Sequence, residues 1–331
     1  MTGQRAASPP AGLLPDASAA LEVLRRLDAL RGRECRLSLL TGGLTNRNYR
    51  VDTETGAQFV ARFSSVKSSL LAIDREAEFR NSSIAASAGV GPRVVEFAPD
   101  DGVLLVEWIT GRTFGPADLD DESQLTRLAG ICRQLHSGPR FASDFDMFDI
   151  QRRYLAIVTE LDFRLPADYR DFEPQVREIE AVLRASAPPT VPCHNDLLAA
   201  NIMDDGDRLW LIDYEYSGNN DPCFELGNIW SEAALELDRL EHLVAGYYGA
   251  PAPVAVARAR LFGLMAKYGW TLWASIQDSV SDVDFDFWDW GMEKYVRARA
   301  EFRSDELVRL ISTIRESNRS EGAKQWPTPS R

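Results

Sequence analysis

The chain of 331 residues is long enough for one large domain or for two domains of ordinary size. It is 45% hydrophobic and 26% charged, which is typical of a globular protein, and it has no apolar stretch of the roughly 18 residues that a membrane span needs. A formal net charge of −13 repels phosphate backbones, so it argues against nucleic acid as a partner and favours a cationic ligand. Four scattered cysteines and the lack of an export signal predict reduced thiols in a cytoplasmic protein.

The first hundred residues are predicted to be mainly strands with one long helix inserted among them. Strand patterns are separated by turn residues, and the helix is expected to end at Gly89, just before a Gly-Pro pair. In chain order we predict a helix over 17–30, a strand–turn–strand over 36–53, a strand over 58–64, a helix over 74–89 and a hairpin over 93–109.

Helical patterns dominate after residue 110. Helices are predicted over 119–137, 150–162 and 172–186, and again from about residue 224. Among them, 191–216 is the only segment that favours strands. The predicted division is a disordered tail (1–16), an N-terminal lobe (17–108), a C-terminal lobe (109–317) and a second disordered tail (318–331).

That segment concentrates polar groups that can hold a metal ion or a proton. Residues 201–203 and 208–212 are predicted to form a hairpin, which brings Asn201 and Asp213 to its open end, while Asp196 lies in the loop before it. Magnesium takes hard oxygen ligands, so Asn201 and Asp213 are candidate ligands, and Asp196 is placed to accept a proton from a hydroxyl. A helix N-cap or a turn is the alternative role for such residues.

The spacing His-x-Asp-x-x-x-x-Asn, followed by an Asp after a hairpin, resembles the catalytic and metal-binding segments of protein kinase-like phosphotransferases. Residues 194–203 and 211–232, together with "GGLTNRNYRV" and "WTLWASIQ", resemble the choline/ethanolamine kinase branch of the aminoglycoside phosphotransferase and protein kinase-like superfamily. The resemblance implies an α+β fold with a small β-rich N-terminal lobe and a larger, mostly helical C-terminal lobe. It also implies ATP and Mg²⁺ as cofactors.

On the nucleotide side, the resemblance implies that Arg62 holds the α and β phosphates and pairs with a glutamate of the inserted helix. Glu78 is the expected partner, with Glu76 as the alternative. Glu107, at the connection between the lobes, is also assigned to the nucleotide. The loop expected to cover the phosphates contains Gly42, Gly43, Thr45 and Asn46.

On the catalytic side, the resemblance makes Asp196 the base toward the acceptor hydroxyl and His194 the residue that orients its loop. Asn201 and Asp213 are the matching metal ligands. The branch usually has Asp where this chain has Glu225, at a position that supports the hydrogen bonds of the loop, so the pocket geometry is expected to differ in detail.

Four residues are assigned to an acceptor pocket. Trp270 and Trp273 are three residues apart on a predicted helix, so they share a face and form either a core stripe or an aromatic wall for a cation. By resemblance, Tyr216 and Glu232 match the family's ammonium pocket.

The expected function is therefore ATP- and Mg²⁺-dependent phosphorylation of a small cationic alcohol, with choline and ethanolamine both open. An aminoglycoside, aminosugar or thiamine kinase is the alternative within the fold, and a catalytically inactive binding protein is the alternative outside enzymes. The expected partners are this substrate and, as an open alternative, a second copy of the chain in a homodimer.

Overall fold

The computed structural model of the chain describes residues 14–64 and 70–320, and the two predicted tails lie largely outside these ranges. Its N-terminal part is an antiparallel sheet of five strands with two helices. The strands are β1 (Cys35–Leu40), β2 (Asn46–Thr53), β3 (Gln58–Ser64), β4 (Val94–Ala98) and β5 (Val103–Glu107), and the helices are α1 (Ala17–Leu24) and α2 (Arg75–Ser87). The spatial order of the strands is β1-β2-β3-β5-β4.

The two faces of β3 carry side chains with different roles. Successive side chains of a strand point to opposite faces, so Ala61 and Phe63 join a small core with Leu24 of α1. Arg62 lies on the other face, where it is also buried and contacts Glu78 of α2. The sheet thus presents one buried guanidinium toward the rest of the molecule.

The remaining described residues are mostly helical. The helices are α3 (Pro116–Asp120), α4 (Glu122–His136), α5 (Met147–Glu160), α6 (Glu173–Arg184), α7 (Pro222–Glu232), α8 (Leu237–Tyr248), α9 (Pro253–Val280), α10 (Phe287–Phe302) and α11 (Asp305–Ser320). Helix α9 is buried on most sides, as expected of a helix that is apolar all round. A Cβ on Gly227 of α7 would lie 2.0 Å from the carbonyl oxygen of Ala259, so this glycine allows α7 and α9 to pack backbone against backbone.

Five short strands hold the polar segment in place. They are β6 (Arg112–Thr113), β7 (Val191–Cys193), β8 (Ile202–Asp204), β9 (Leu209–Leu211) and β10 (Gly218–Asn220). The β8–β9 hairpin pairs Ile202 with Leu211, and the β7–β10 ladder pairs Cys193 with Gly218. Residues 194–201 and 212–217, which connect these two ladders, are therefore held side by side.

The fold expected from the sequence, a small β-rich lobe and a larger helical lobe, is confirmed. Three local predictions were wrong. The first helix ends at Leu24 rather than 30, because the carboxylate of Glu96 binds the backbone N–H groups of Asp28 and Ala29 and fixes a separate 3-10 turn. The helix predicted over 119–137 is interrupted at Asp121, which is extended and caps α4. The segment 191–216 is not the only strand-forming part of the helical lobe, since β6 and β10 also pair.

None of the helices in the described ranges combines the length and the apolar character needed to cross a membrane.

Candidate active site

The loop between β7 and β8 is fixed by hydrogen bonds from both of its ends. Nε2 of His194 lies 2.8 Å from the carbonyl oxygen of Ile212, so this nitrogen carries the proton and donates it. Burial lowers the pKa of His194, which keeps the ring neutral. Nδ2 of Asn201 donates to the carbonyl oxygen of Asp196 at 2.8 Å. These bonds hold the loop that carries Asp196 against the strand end that precedes Asp213.

Asn201 and Asp213 meet at the open end of the hairpin, as the sequence predicted. The N–H of Ile212 donates to the carbonyl oxygen of Asn201 at 3.0 Å, which closes the ladder immediately before Asp213. Asp213 has a φ of +72°, in the left-handed region that Asp and Asn tolerate better than most residues. Asn201, Asp213 and Asp196 all line one cavity of about 100 Å³.

Glu225 of α7 lies beneath this loop and is fully buried. Its two oxygens accept the backbone N–H groups of His194 (2.9 Å) and Asn195 (2.6 Å), and Oε1 also lies 3.4 Å from Nε2 of His136. Asn195 has a φ of +67°, a backbone conformation that is unfavourable by itself and that these hydrogen bonds stabilise. Although the resemblance leads to Asp being expected here, the longer Glu225 supports the hydrogen bonds of the loop.

A cluster of buried charges joins the sheet to the hairpin. Nη2 of Arg62 lies 2.6 Å from Oδ1 of Asp213 and 2.8 Å from Oε2 of Glu215. Nε of Arg62 lies 3.3 Å from Oε1 of Glu78, the partner that the sequence predicted. Arg75 contacts the same Glu78 at 2.7 Å and Glu215 at 3.1 Å. Two guanidinium groups therefore face three carboxylates in one cluster, in which Arg62, Glu78 and Glu215 are buried and the other two residues are half-buried.

Electrostatic interactions within this cluster shift the pKa values of Asp213 and Glu215 in opposite directions. Burial alone would raise the pKa of Glu215, but Arg62 and Arg75 lower it to about 2. Burial raises the pKa of Asp213, and Arg62 only partly opposes this. Burial also raises the pKa of Asp196 well above its ordinary value, and the negative charge of Asp213 raises it further. Asp196 is thus a carboxylate with a stronger affinity for a proton than a surface aspartate.

The loop between β1 and β2 folds over the cavity. Gly43 is required there, because a Cβ would lie 2.8 Å from the carbonyl oxygen of Asn46. Thr45 and Asn46 donate to the two oxygens of Glu215 at 2.8 and 2.9 Å. Nε2 of Gln277 in α9 donates to the carbonyl oxygen of Leu44 at 3.0 Å. The predicted nucleotide loop is therefore anchored to the helical lobe through side chains on both sides.

Aromatic rings form part of the wall of the cavity. Nε1 of Trp273 donates to the hydroxyl oxygen of Tyr216 at 2.7 Å, and the ring centroids of Tyr216 and Trp270 are 5.1 Å apart. Trp290 of α10 packs edge-on against Trp273, at 5.4 Å between centroids. These rings line the cavity together with Glu232. The two tryptophans of α9 are both part of the core and part of this wall.

Two predicted residues lie apart from this arrangement. The carboxylate of Glu107, at the end of β5, binds Arg93 and lines neither this cavity nor the larger one beside the glycine loop. Glu76, the alternative partner of Arg62, forms an exposed pair with Arg80.

Four residues of the site were missed from the sequence. Glu215 follows Asp213 by two residues, and this spacing alone could have drawn attention to it. Arg75, Trp290 and Lys294 contact the site through tertiary packing, and no local pattern indicates them.

The oxygen donors present fit a magnesium ion. Asn201 and Asp213 offer one amide oxygen and one carboxylate, which are hard ligands of the kind that Mg²⁺ takes alongside phosphate and water. Because Nδ2 of Asn201 is bonded to Asp196, its Oδ1 is the atom that can bind an ion. An ion at this point would share Asp213 with Arg62.

A five-stranded lobe and a helical lobe, with buried charges gathered between them, define the protein kinase-like class of phosphotransferase folds. The family model for choline/ethanolamine kinase matches residues 37–244, and the chain belongs to that family. It is accordingly a small-molecule kinase, and the family resemblance drawn from the sequence is confirmed.

Individual relatives agree with this assignment. A crystal structure of a choline/ethanolamine kinase family protein from Mesorhizobium loti is 30% identical, with a TM-score of 0.78, covering 90% of this chain and 99% of that one. Protein LicA of Haemophilus influenzae is 27% identical over 271 residues, 76% of each chain. Ethanolamine kinase 2 of Rattus norvegicus is 29% identical over 245 residues, covering 66% of this chain and 63% of the relative.

Proposed function

We propose that the chain transfers the γ-phosphoryl group of ATP, with Mg²⁺, to the hydroxyl of a small cationic amino alcohol, with choline and ethanolamine as the candidate acceptors. The observation that carries the proposal is a single small cavity that joins three elements. Asp196, Asn201 and Asp213 line this cavity together with the aromatic rings and Glu232. A base, a metal site and a site for a cation are the three groups that this reaction requires.

In the proposed reaction, the oxygen of the acceptor hydroxyl forms a bond to the γ-phosphorus while the bond from that phosphorus to ADP breaks. Asp196 accepts the proton that this hydroxyl loses. Positioning and charge neutralisation supply most of the catalysis in phosphoryl transfer, so a carboxylate suffices as the base. When bound at Asn201 and Asp213, Mg²⁺ supplies positive charge to the phosphate oxygens. His194 and Glu225 act on the geometry, because they fix the loop on which Asp196 lies.

On the nucleotide side, Arg62 is proposed to bind the α and β phosphates, and the loop of Gly42, Gly43, Thr45 and Asn46 to cover the phosphates. Arg62 is already oriented by Glu78. The polar side chains of the loop are held by Glu215. Nucleotide binding is therefore expected to exchange some of these contacts for contacts to phosphate. The proposed nucleotide role of Glu107 is supported only by its position between the lobes.

A small acceptor fits the cavity better than a polyamine sugar does. The cavity of about 100 Å³ is smaller than the roughly 300–1,000 Å³ that is usual for larger ligands. Its wall is aromatic, and rings attract an ammonium group by about 0.5–2 kcal/mol each. An aminoglycoside would present several ammonium groups and would need more carboxylates than Glu232 and Asp196.

The proposal extends to the surroundings of the enzyme. The cytoplasm is its proposed location, since it supplies ATP, and the four cysteines are free thiols, three of them buried. A homodimer stays an open expectation.

An assay of ADP release over a panel of acceptors tests the proposed function. The panel contains choline, ethanolamine, thiamine and an aminoglycoside, each with ATP and Mg²⁺. We expect turnover with at least one of the first two, and loss of that turnover in Asp196→Asn. Asp207→Asn, in the exposed turn of the same hairpin, is the matched control and is expected to keep full activity. Turnover only with the aminoglycoside or thiamine, or undiminished turnover in Asp196→Asn, contradicts the proposal.

A further inference from the structure

Two residues that line the acceptor cavity, Glu232 and Trp290, both contact an ammonium group of the protein, that of Lys294. Nζ of Lys294 is bonded to Oε2 of Glu232 and lies 4.0 Å from the centroid of the Trp290 ring. Trp290 and Lys294 are four residues apart on α10, so the helix places both on one face. Lys294 is 5% exposed, and the side chain of Glu232 is 4% exposed. A buried lysine is stable only with such a partner.

These contacts have the chemistry with which a protein recognises an ammonium ligand. A carboxylate supplies charge and hydrogen-bond acceptors, and an aromatic face supplies the attraction of its quadrupole. In this chain Lys294 already neutralises Glu232, the residue assigned to the acceptor's ammonium. An incoming cation therefore meets a carboxylate whose negative charge is already balanced by Lys294.

Glu232 nevertheless keeps one unused acceptor. Among the described residues, no donor lies within hydrogen-bond distance of its Oε1, although this atom is buried. Leaving a buried acceptor without a donor is unfavourable. Glu232 lines the cavity, so a ligand bound there is the available source of a donor.

We propose, on the basis of the proposed function, that Lys294 determines acceptor specificity: it binds Glu232 and covers one face of the Trp290 ring, two residues of the cavity wall, so the chain favours amino alcohols whose ammonium retains an N–H over fully methylated ones. An N–H donates to Oε1 of Glu232 and completes its hydrogen bonding. A trimethylated ammonium has no N–H, leaves Oε1 unpaired, and needs the ring face that Lys294 covers. Tyr216, Trp270 and Trp273 attract both kinds of cation and do not discriminate between them.

The N-methyl series of ethanolamine tests this inference on the wild-type protein. Ethanolamine, its N-methyl and N,N-dimethyl derivatives and choline differ only in the number of N–H groups. Binding is followed by the fluorescence of the cavity tryptophans, and kcat/KM by ADP release. We expect a small effect of the first two methyl groups and a loss of roughly 10- to 100-fold in both quantities at the last one, the range for an unpaired buried acceptor. Choline that binds as tightly as ethanolamine overturns the inference.

Variants then identify the residue responsible. Lys294→Met removes the ammonium, frees the Trp290 face and leaves Glu232 charged, so the preference for ethanolamine over choline is expected to fall by about ten-fold or more. Lys294→Arg keeps the cation and is expected to keep the preference. Lys267→Met is the matched control. Lys267 is also buried, pairs with Glu301 at 2.8 Å and lies 5.0 Å from the Trp230 ring, but neither Glu301 nor Trp230 lines the cavity. An unchanged preference in a folded Lys294→Met overturns the inference.

Two readouts separate the outcomes. If the amines bind in the expected order and no ADP is released with any of them, the proposed function fails and the specificity inference stands. If ADP is released but the preference ignores Lys294, the proposed function stands and the specificity inference fails. If no amine binds, both fail. Should Lys294→Met not fold, the wild-type methylation series decides by itself.

Discussion

Replacing Glu225 by Gln is expected to weaken both the fold and the reaction through the loop that carries Asp196. Glu225 is fully buried, and its oxygens accept two backbone N–H groups, from His194 and Asn195. In Gln one of these oxygens becomes an NH₂ group, which cannot accept, so one buried N–H loses its partner at a cost of about 1–3 kcal/mol. The other bond loses its charge, which removes about 1 kcal/mol more. The total is about 2–4 kcal/mol.

Activity is expected to fall with stability. Because His194 and Asn195 directly precede Asp196, the loss of either backbone bond loosens the loop and moves Asp196 away from the acceptor. Glu225→Asp keeps both acceptor oxygens on a shorter side chain, so it is expected to lose less stability and less kcat than Glu225→Gln. Urea unfolding gives the free energy of unfolding, and ADP release gives kcat.

The exposed pair of Glu76 and Arg80 provides the control. Glu76→Gln removes one charge in the same way, but at an exposed pair worth about 0–1 kcal/mol. If Glu225→Gln unfolds at the wild-type urea concentration and retains full kcat, Glu225 does not hold the loop as described.

Three further variants test separate parts of the molecule. Trp273→Ala removes one ring of the aromatic wall, so KM for the amine is expected to rise by roughly 2- to 30-fold and KM for ATP much less; an equal rise in both would indicate a packing role. Asp213→Ala is expected to abolish the dependence of nucleotide affinity on Mg²⁺, measured by titration with and without the metal; retained dependence would place the ion elsewhere. Asp204→Asn breaks the pair with Arg127, whose hydrogen bond lowers the pKa of Asp204 to about 2. Because this folded pKa lies below the unfolded value, the stabilisation is present above about pH 4 and is lost as the pH falls toward 2. We therefore expect the variant to lose about 1 kcal/mol at pH 7 and to converge on wild type in acid, as followed by urea unfolding at several pH values, whereas a pH-independent difference would contradict the pairing.

Local signals in the sequence were sufficient for the architecture and for the hairpin that carries Asn201 and Asp213. Alternation in 58–64 and the turn at Gly206 fix strands by short-range chemistry, so the sequence alone was enough to place Asn201 and Asp213 together. The pairing of Arg62 with Glu78 followed from family resemblance, and the structure shows it.

Contacts between distant segments could not be predicted in this way. Glu232 and Lys294 are 62 residues apart and meet because α7 and α10 both pack on α9. The strands β7 and β10 have three residues each, too few for a period of two to be recognised. The end of α1 depends on Glu96, a residue of the distant strand β4. In each case tertiary packing, and not local preference, sets the outcome.

A structure of the chain with Mg²⁺, a non-hydrolysable ATP analogue and ethanolamine tests the central claim most directly. We predict one ion bound by Oδ1 of Asn201 and the carboxylate of Asp213, with the acceptor hydroxyl beside Asp196 and its ammonium between Glu232 and the aromatic wall. An ion bound away from Asn201 and Asp213, or an amine bound outside this cavity, would contradict the account.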